Sequence, residues 1–206
     1  MTSHGPPLNP GPGSLTVTIG FMPAWRALPA GIGGALESAS QAMDQFMKKP
    51  SMTPADAASQ IAQISADLTQ AGADAAAEGN PAGVGAAAGG VSALNATNAA
   101  LTATWTAASA VPGGQPAANT AYTEGIKAAA ATAASSVFAA VAGMTDTHIC
   151  PIPCPIPPHG PGVVTQGCAN VLIDNLPSVR QGDEVVEACG GSDPISMGCP
   201  TVMIGD

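Results

Sequence analysis

Apolar residues recur at steps of three and four through the middle of the chain, about 34–143, and at steps of two near both ends. The first rhythm belongs to helices and the second to short strands. Four helices are predicted. The first, about 35–48, carries Leu36, Ala39, Met43, Phe46 and Met47 on one face. The second opens with Thr53 as N-cap, Pro54 at the first helical position and Asp56 at the third; the Thr hydroxyl can accept from an unpaired backbone N–H there, and Pro loses nothing where no N–H is needed. Its seam is Ala57, Ile61, Ile64, Leu68 and Ala71, and Gly79 followed by Asn80-Pro81 ends it. The third carries Val84, Ala87, Val91, Leu94, Leu101 and Trp105, with the rhythm interrupted at Asn98. After the loop "PGGQP" (112–116), the fourth carries Tyr122, Ile126, Ala129, Ala133, Val137 and Val141 and stops near Gly143. Such narrow, Ala-rich seams let helices approach closely, as in an antiparallel bundle.

Charge tests this reading. No charged residue lies between Gly79 and Thr123 or within 128–144, which suits membrane spans. These stretches are nonetheless built of Ala, Thr, Ser, Asn and Gly, with few large apolar side chains, so a water-soluble bundle is the expectation. The formal charge of −9, with only five Lys plus Arg, excludes a nucleic-acid binder that neutralises phosphates. The N-terminal "MTSHGPPLNPGPGS" has neither a basic nor an apolar region of a secretory signal.

The outer segments repeat. Residues 13–26 read "GSLTVTIGFMPAWR", residues 167–180 "GCANVLIDNLPSVR", and residues 198–206 "GCPTVMIGD". The shared pattern is G-[S/C]-x-x-V-x-I, then P-x-x-R in the two longer copies. Val and Ile two apart share one face of a short strand. His4-Gly5 stands nine residues before Gly13, His159-Gly160 eight before Gly167, and Cys189-Gly190 nine before Gly198. Each copy therefore follows a metal-capable side chain. Three copies closed about an axis would bring His4, His159 and Cys189 to one point, and His148, eleven residues before His159, can supply a fourth ligand. Three imidazoles and one thiolate suit a tetrahedral Zn²⁺ site, with Fe as the less suitable substitute. Cys150 and Cys154 compete for that ion, though the prolines between them restrict the backbone. Cys168 and Cys199 occupy the repeat position of Ser14 and are expected to be small, buried packing residues, with a disulfide as the alternative. Arg26 and Arg180 are expected to brace turns.

The segment "DTHICP…PPHGPGVVTQGCANVLIDNLPSVRQGDEVVEACGGSDPISMGCPTVMIGD" (146–206), with "PSVR" (177–180) and "PAWR" (23–26), resembles the PAAR-repeat family. The resemblance implies a small pseudo-threefold β cone with a Zn²⁺ near its apex. Such a cone caps the trimeric β-helical spike, of the valine-glycine repeat type, in type VI secretion and related contractile injection systems. Its implied ligands fall on His4, His148, His159 and Cys189, the set that the repeat register also selects. The order of the repeats departs from the family's usual one: "HGPPLNPGPGSLTVTIG" stands first, so the sequence resembles a circular permutation.

The expected fold class is therefore mixed α and β: a cone from residues 1–30 and 144–206, and an inserted Ala-rich antiparallel bundle over 31–143. The expected function is a zinc-stabilised spike tip, assembled in the bacterial cytoplasm and exported on the injection machine. It would aid envelope piercing and touch membranes only in passing. The helices would contact the baseplate or cargo. The alternative is a spike-borne effector whose helices insert in membranes or carry a toxin. An enzyme is not expected: no His lies between residues 5 and 147, and Asp146 is the only carboxylate that the sequence alone places beside the ligands.

Overall fold

A computed structural model of the chain describes Thr2 and residues 13–150 and 161–205. Among these residues four α-helices form: α1 (Ala30–Met47), α2 (Pro54–Ala77), α3 (Pro81–Ser109) and α4 (Gln115–Val141). Short connections make successive helices antiparallel, and each packs on the next.

The local signals act as their chemistry requires. The Thr53 side chain accepts from the Asp56 N–H, and the Asp56 carboxylate accepts from the Thr53 N–H, a reciprocal capping box. Asn80 Oδ1 caps α3 through the N–H groups of Ala82 and Gly83. α1 begins at Ala30, five residues before the predicted start. Gly31, Gly33 and Gly34 are weak helix formers, so nothing local announces that turn. It forms because Leu28, Ile32 and Leu36 are buried, and Gly33 lets α1 approach the β region. A Cβ on Gly33 would lie 2.4 Å from the Thr165 carbonyl oxygen.

α4 is the bundle's central helix, packing against the other three. Its buried residues include Tyr122, Ile126, Val137, Phe138 and Val141. α3 is peripheral: only Gly83, Ala87 and Leu94 are buried along it, and Val84, predicted for the seam, is exposed. The interruption at Asn98 is a polar bridge rather than a break. Tyr122 donates its hydroxyl to Asn98 Oδ1 at 2.6 Å, and Trp105 Nε1 donates to Asn119 Oδ1 at 2.7 Å. Lys127 donates to the carbonyls of Met47 and Lys49 past the end of α1, and burial pushes its pKa below the ordinary lysine value.

Among the described residues, the β region holds three antiparallel sheets. Two are hairpins, β1 (Thr18–Ile19) with β2 (Met22–Pro23), and β5 (Cys168–Ile173) with β6 (Leu176–Ser178). The third has four strands in the order β3 (Thr147–Ile149), β4 (Pro161–Val164), β7 (Glu184–Glu187), β8 (Ser192–Pro194). Both hairpins turn through two residues with positive φ, Gly20-Phe21 and Asp174-Asn175, at the same place in the repeat. That backbone matches the right-handed twist of the strands it joins.

The three repeat copies touch one another in a ring. A Cβ on Gly20, at the turn of the first, would lie 2.9 Å from Cys199 Sγ in the third. One on Gly205, at the matching place in the third, would lie 2.5 Å from Cys168 Sγ in the second. Asp174, at that place in the second, accepts from Thr16 at 2.7 Å and from Ser14 in the first. Each copy's turn thus meets the start of a neighbouring copy. The outer segments are also joined by backbone: Ala27 N–H donates to Pro177 O, Val179 N–H to Trp25 O, and Thr2 bridges Ile195.

Candidate metal centre

β3, β4 and β7 align His148, Gly162 and Glu187 in one row, by the pairs His148 with Gly162 and Gly162 with Glu187. Strand alternation puts Cys150 on the face of His148; both are buried, whereas Ile149 between them is exposed. One donor atom each from His148, Cys150 and Glu187 lie within 4.8 Å of one another, the spacing of side chains that can hold a single ion. On β8, Asp193 pairs with Val185, two residues from Glu187 and therefore on the same face. Asp193 Oδ2 lies 3.3 Å from His148 Nε2, and Glu187 Oε1 lies 3.8 Å from it. His148, Glu187 and Asp193 are all 0% exposed. Imidazole, thiolate and carboxylate all ligate zinc, so the donors present fit that ion.

Of the four sequence-predicted ligands, His148 lies at this centre. His4 and His159 lie outside the described residues, as does Cys154. Cys189 follows Glu187 by two residues and is buried, in the core cluster that includes Val163, Val186, Ala188 and α1. Glu187 and Asp193 were missed from sequence. The available signal was slight: an acidic residue after two valines in "EVVEACGG", with the parity of Cys189. These carboxylates correct the expectation that only Asp146 would stand nearby. Asp146 instead binds Arg26, accepting from its backbone N–H at 2.7 Å and its guanidinium at 3.3 Å. Arg26 also reaches Asp174 at 3.3 Å, so it clasps the segments on either side of the bundle. Burial raises the Asp146 pKa, against the pull of Arg26. Arg180 binds Asp183 within its own turn. Arg180 braces its own turn, as expected, whereas Arg26 ties distant segments together. The Cys168 and Cys199 thiols are not bridged to one another; Cys168 is buried, whereas Cys199 is partly exposed.

Residues 156–206 match the family model of the PAAR motif. The chain carries this motif across β4 to β8, within the C-terminal segment whose repeats resemble that family. No curated protein and no solved structure matches the chain.

Proposed function

We propose that this chain is the metal-stabilised tip of the trimeric spike of a contractile injection system. The observation that carries the reading is the ring of repeats and the apolar side chains it leaves in solvent. Copies two and three expose the same pair of positions, Val171 with Leu172 and Val202 with Met203. Copy one adds Leu15, Phe21 and Met22, and Phe21 is wholly exposed at a positive φ of 63°. A concentration of large exposed apolar residues marks a contact surface. Three quasi-equivalent repeat copies, two of them hairpins, can meet the three equivalent chains of a trimer, covering strand edges that would otherwise template aggregation. A Leu172→Asp, Met203→Asp double variant should bind the β-helical spike trimer of its own injection machine at least about tenfold more weakly than wild type, because burying a carboxylate in an apolar contact is costly. Surface plasmon resonance checks this; wild-type protein that fails to bind the trimer overturns the reading.

The cone in this reading comprises residues 1–30 and 144–206, with the bundle over 31–143 inserted between its repeats in a permuted order. The ion is Zn²⁺, with Fe as substitute, held by His4, His148, His159 and Cys189; Cys150 is the competing thiolate. It fixes an apex too small for its own apolar core. Purified protein should contain about one Zn²⁺ per chain with one sulfur ligand. Elemental analysis and X-ray absorption measure both, and two or four sulfur ligands would move the site to Cys150 and Cys154. The complete burial of His148, Glu187 and Asp193 supports a structural ion over a catalytic one, which needs an open position.

The bundle acts as a shoulder for the baseplate or cargo. Gln115–Met144 is long and apolar enough to cross a membrane, but it includes the central helix of the bundle. That packing favours a water-soluble shoulder whose membrane contact is confined to injection. Export would follow assembly in the bacterial cytoplasm, on the spike itself.

A further inference from the structure

Phe21 stands where the turn chemistry asks for another residue. It follows Gly20 as the second residue of positive φ in the copy-one hairpin, at 63°. Copy two has Asn175 at that position with φ of 64°, and the sequence of copy three has Asp206 there. Asn and Asp tolerate left-handed backbone, whereas a bulky side chain is strained by it. The Phe21 side chain is wholly exposed, so packing among the described residues does not offset that strain. Strain held at a solvent-facing aromatic points to a use outside the chain.

The neighbours of Phe21 share its bias. Leu15 is exposed where copies two and three have Ala169 and Pro200, and Met22 is exposed where Leu176 is half-buried. At the position of Leu172 and Met203, by contrast, copy one has Thr18. Copy one thus presents a large aromatic ringed by smaller apolar and polar side chains, the make-up of an energetic anchor in a protein contact. The Phe21 turn is continuous with copy three: Gly20 lies against Cys199, at the start of the copy that exposes Val202 and Met203. A lipid surface fits this ring less well. Residues 13–25, 167–179 and 198–206 contain no Lys or Arg, and membrane-binding faces use cations to meet anionic headgroups.

We propose that Phe21 is a single, asymmetric anchor that inserts into an apolar pocket on one chain of the spike trimer, while the other two chains meet repeat copies that lack an aromatic at that place. The inference rests on the spike-tip reading above, and it adds that the three copies do not share the contact equally. Fold stability and affinity then oppose each other at this residue, since the side chain that strains the turn is the one that binds.

The test uses the full chain and the β-helical spike trimer of its own injection machine. Phe21→Asn should weaken binding by at least about tenfold in surface plasmon resonance, the scale of a lost anchor. The same variant should raise Tm by about 2–4 °C, because Asn suits the turn. Asn175→Gly, at the matching position of copy two, should change affinity by less than about twofold. Unchanged affinity in Phe21→Asn, with wild-type protein binding the trimer, overturns the proposal and leaves the spike-tip reading standing. A lower Tm in Phe21→Asn also overturns it, since Phe21 then supports the fold. Equal losses of affinity in Phe21→Asn and Asn175→Gly remove the asymmetry and overturn it as well. Flotation with phosphatidylethanolamine–phosphatidylglycerol vesicles that is lost in Phe21→Asn, at unchanged spike affinity, assigns Phe21 to lipid instead. Wild-type protein that does not bind the trimer overturns the spike-tip reading, and the anchor falls with it.

Discussion

Gly190→Ala should destabilise the protein by on the order of 3–5 kcal/mol, the combined scale of a strained backbone and an overpacked contact. Gly190 has φ of +96°, a region that L side chains rarely adopt. An added Cβ would lie 2.5 Å from the Asp44 backbone nitrogen and 2.6 Å from its Cα. Those atoms belong to α1 and cannot rotate away. The turn is also tied to α1 by Ser40, whose hydroxyl donates to the Glu187 carbonyl at 2.9 Å. Because Cys189 and Glu187 flank the same turn, displacing it should also reduce metal retention. Gly89→Ala is the control. Nothing lies within 4 Å of the added Cβ, and the site is in the exposed face of α3. It should raise stability by about 0.5–1 kcal/mol, because Ala costs less backbone entropy than Gly in a helix. Urea denaturation of the three proteins measures both effects. Equal stability of the two variants would refute the close α1–turn contact.

Phe138→Ala should cost about 3–5 kcal/mol, the usual range for emptying a buried aromatic site. Phe138 is 0% exposed on α4, the helix that touches α1, α2 and α3. For a chain of this size each kcal/mol lowers Tm by about 2–4 °C, so a fall on the order of 10 °C follows. Calorimetry in detergent-free buffer measures it. A negligible change would mean that Phe138 is not packed in water, and would favour the membrane-inserting alternative for this apolar helix. A large change supports the soluble shoulder. Val111→Ala, at an exposed position in the α3–α4 loop, should shift Tm by less than about 2 °C.

Several features were legible because their causes are local. Thr53, Pro54 and Asp56 specify the start of α2 within four residues, and the capping box forms there. Asn80-Pro81 marks the join of α2 to α3 in the same way. The repeat G-[S/C]-x-x-V-x-I was legible by alignment, and the two hairpins turn at equivalent places within it. His148 was singled out by its spacing from His159, and it lies among metal-capable donors.

Other features depend on distant partners. The first five residues of α1 contain three glycines, and this start is held by contact with the Thr165 backbone, 132 residues away in sequence order (Gly33 to Thr165). The exposure of Val84 reflects the outer position of α3, which its seam does not encode. Arg26 acquires Asp146 and Asp174 as partners from beyond the entire bundle.

The sequence by itself therefore determined the helical middle, the strands of the first two repeat copies, the capping chemistry and His148 as a metal-capable residue, since each is written in the spacing of near neighbours; the third copy, predicted by the same pattern, forms no strand. The tertiary structure alone decided which carboxylates face that histidine. Glu187 and Asp193 reach His148 through strand pairing across Gly162 and β8, and pairing register is a relation between segments that no single segment carries.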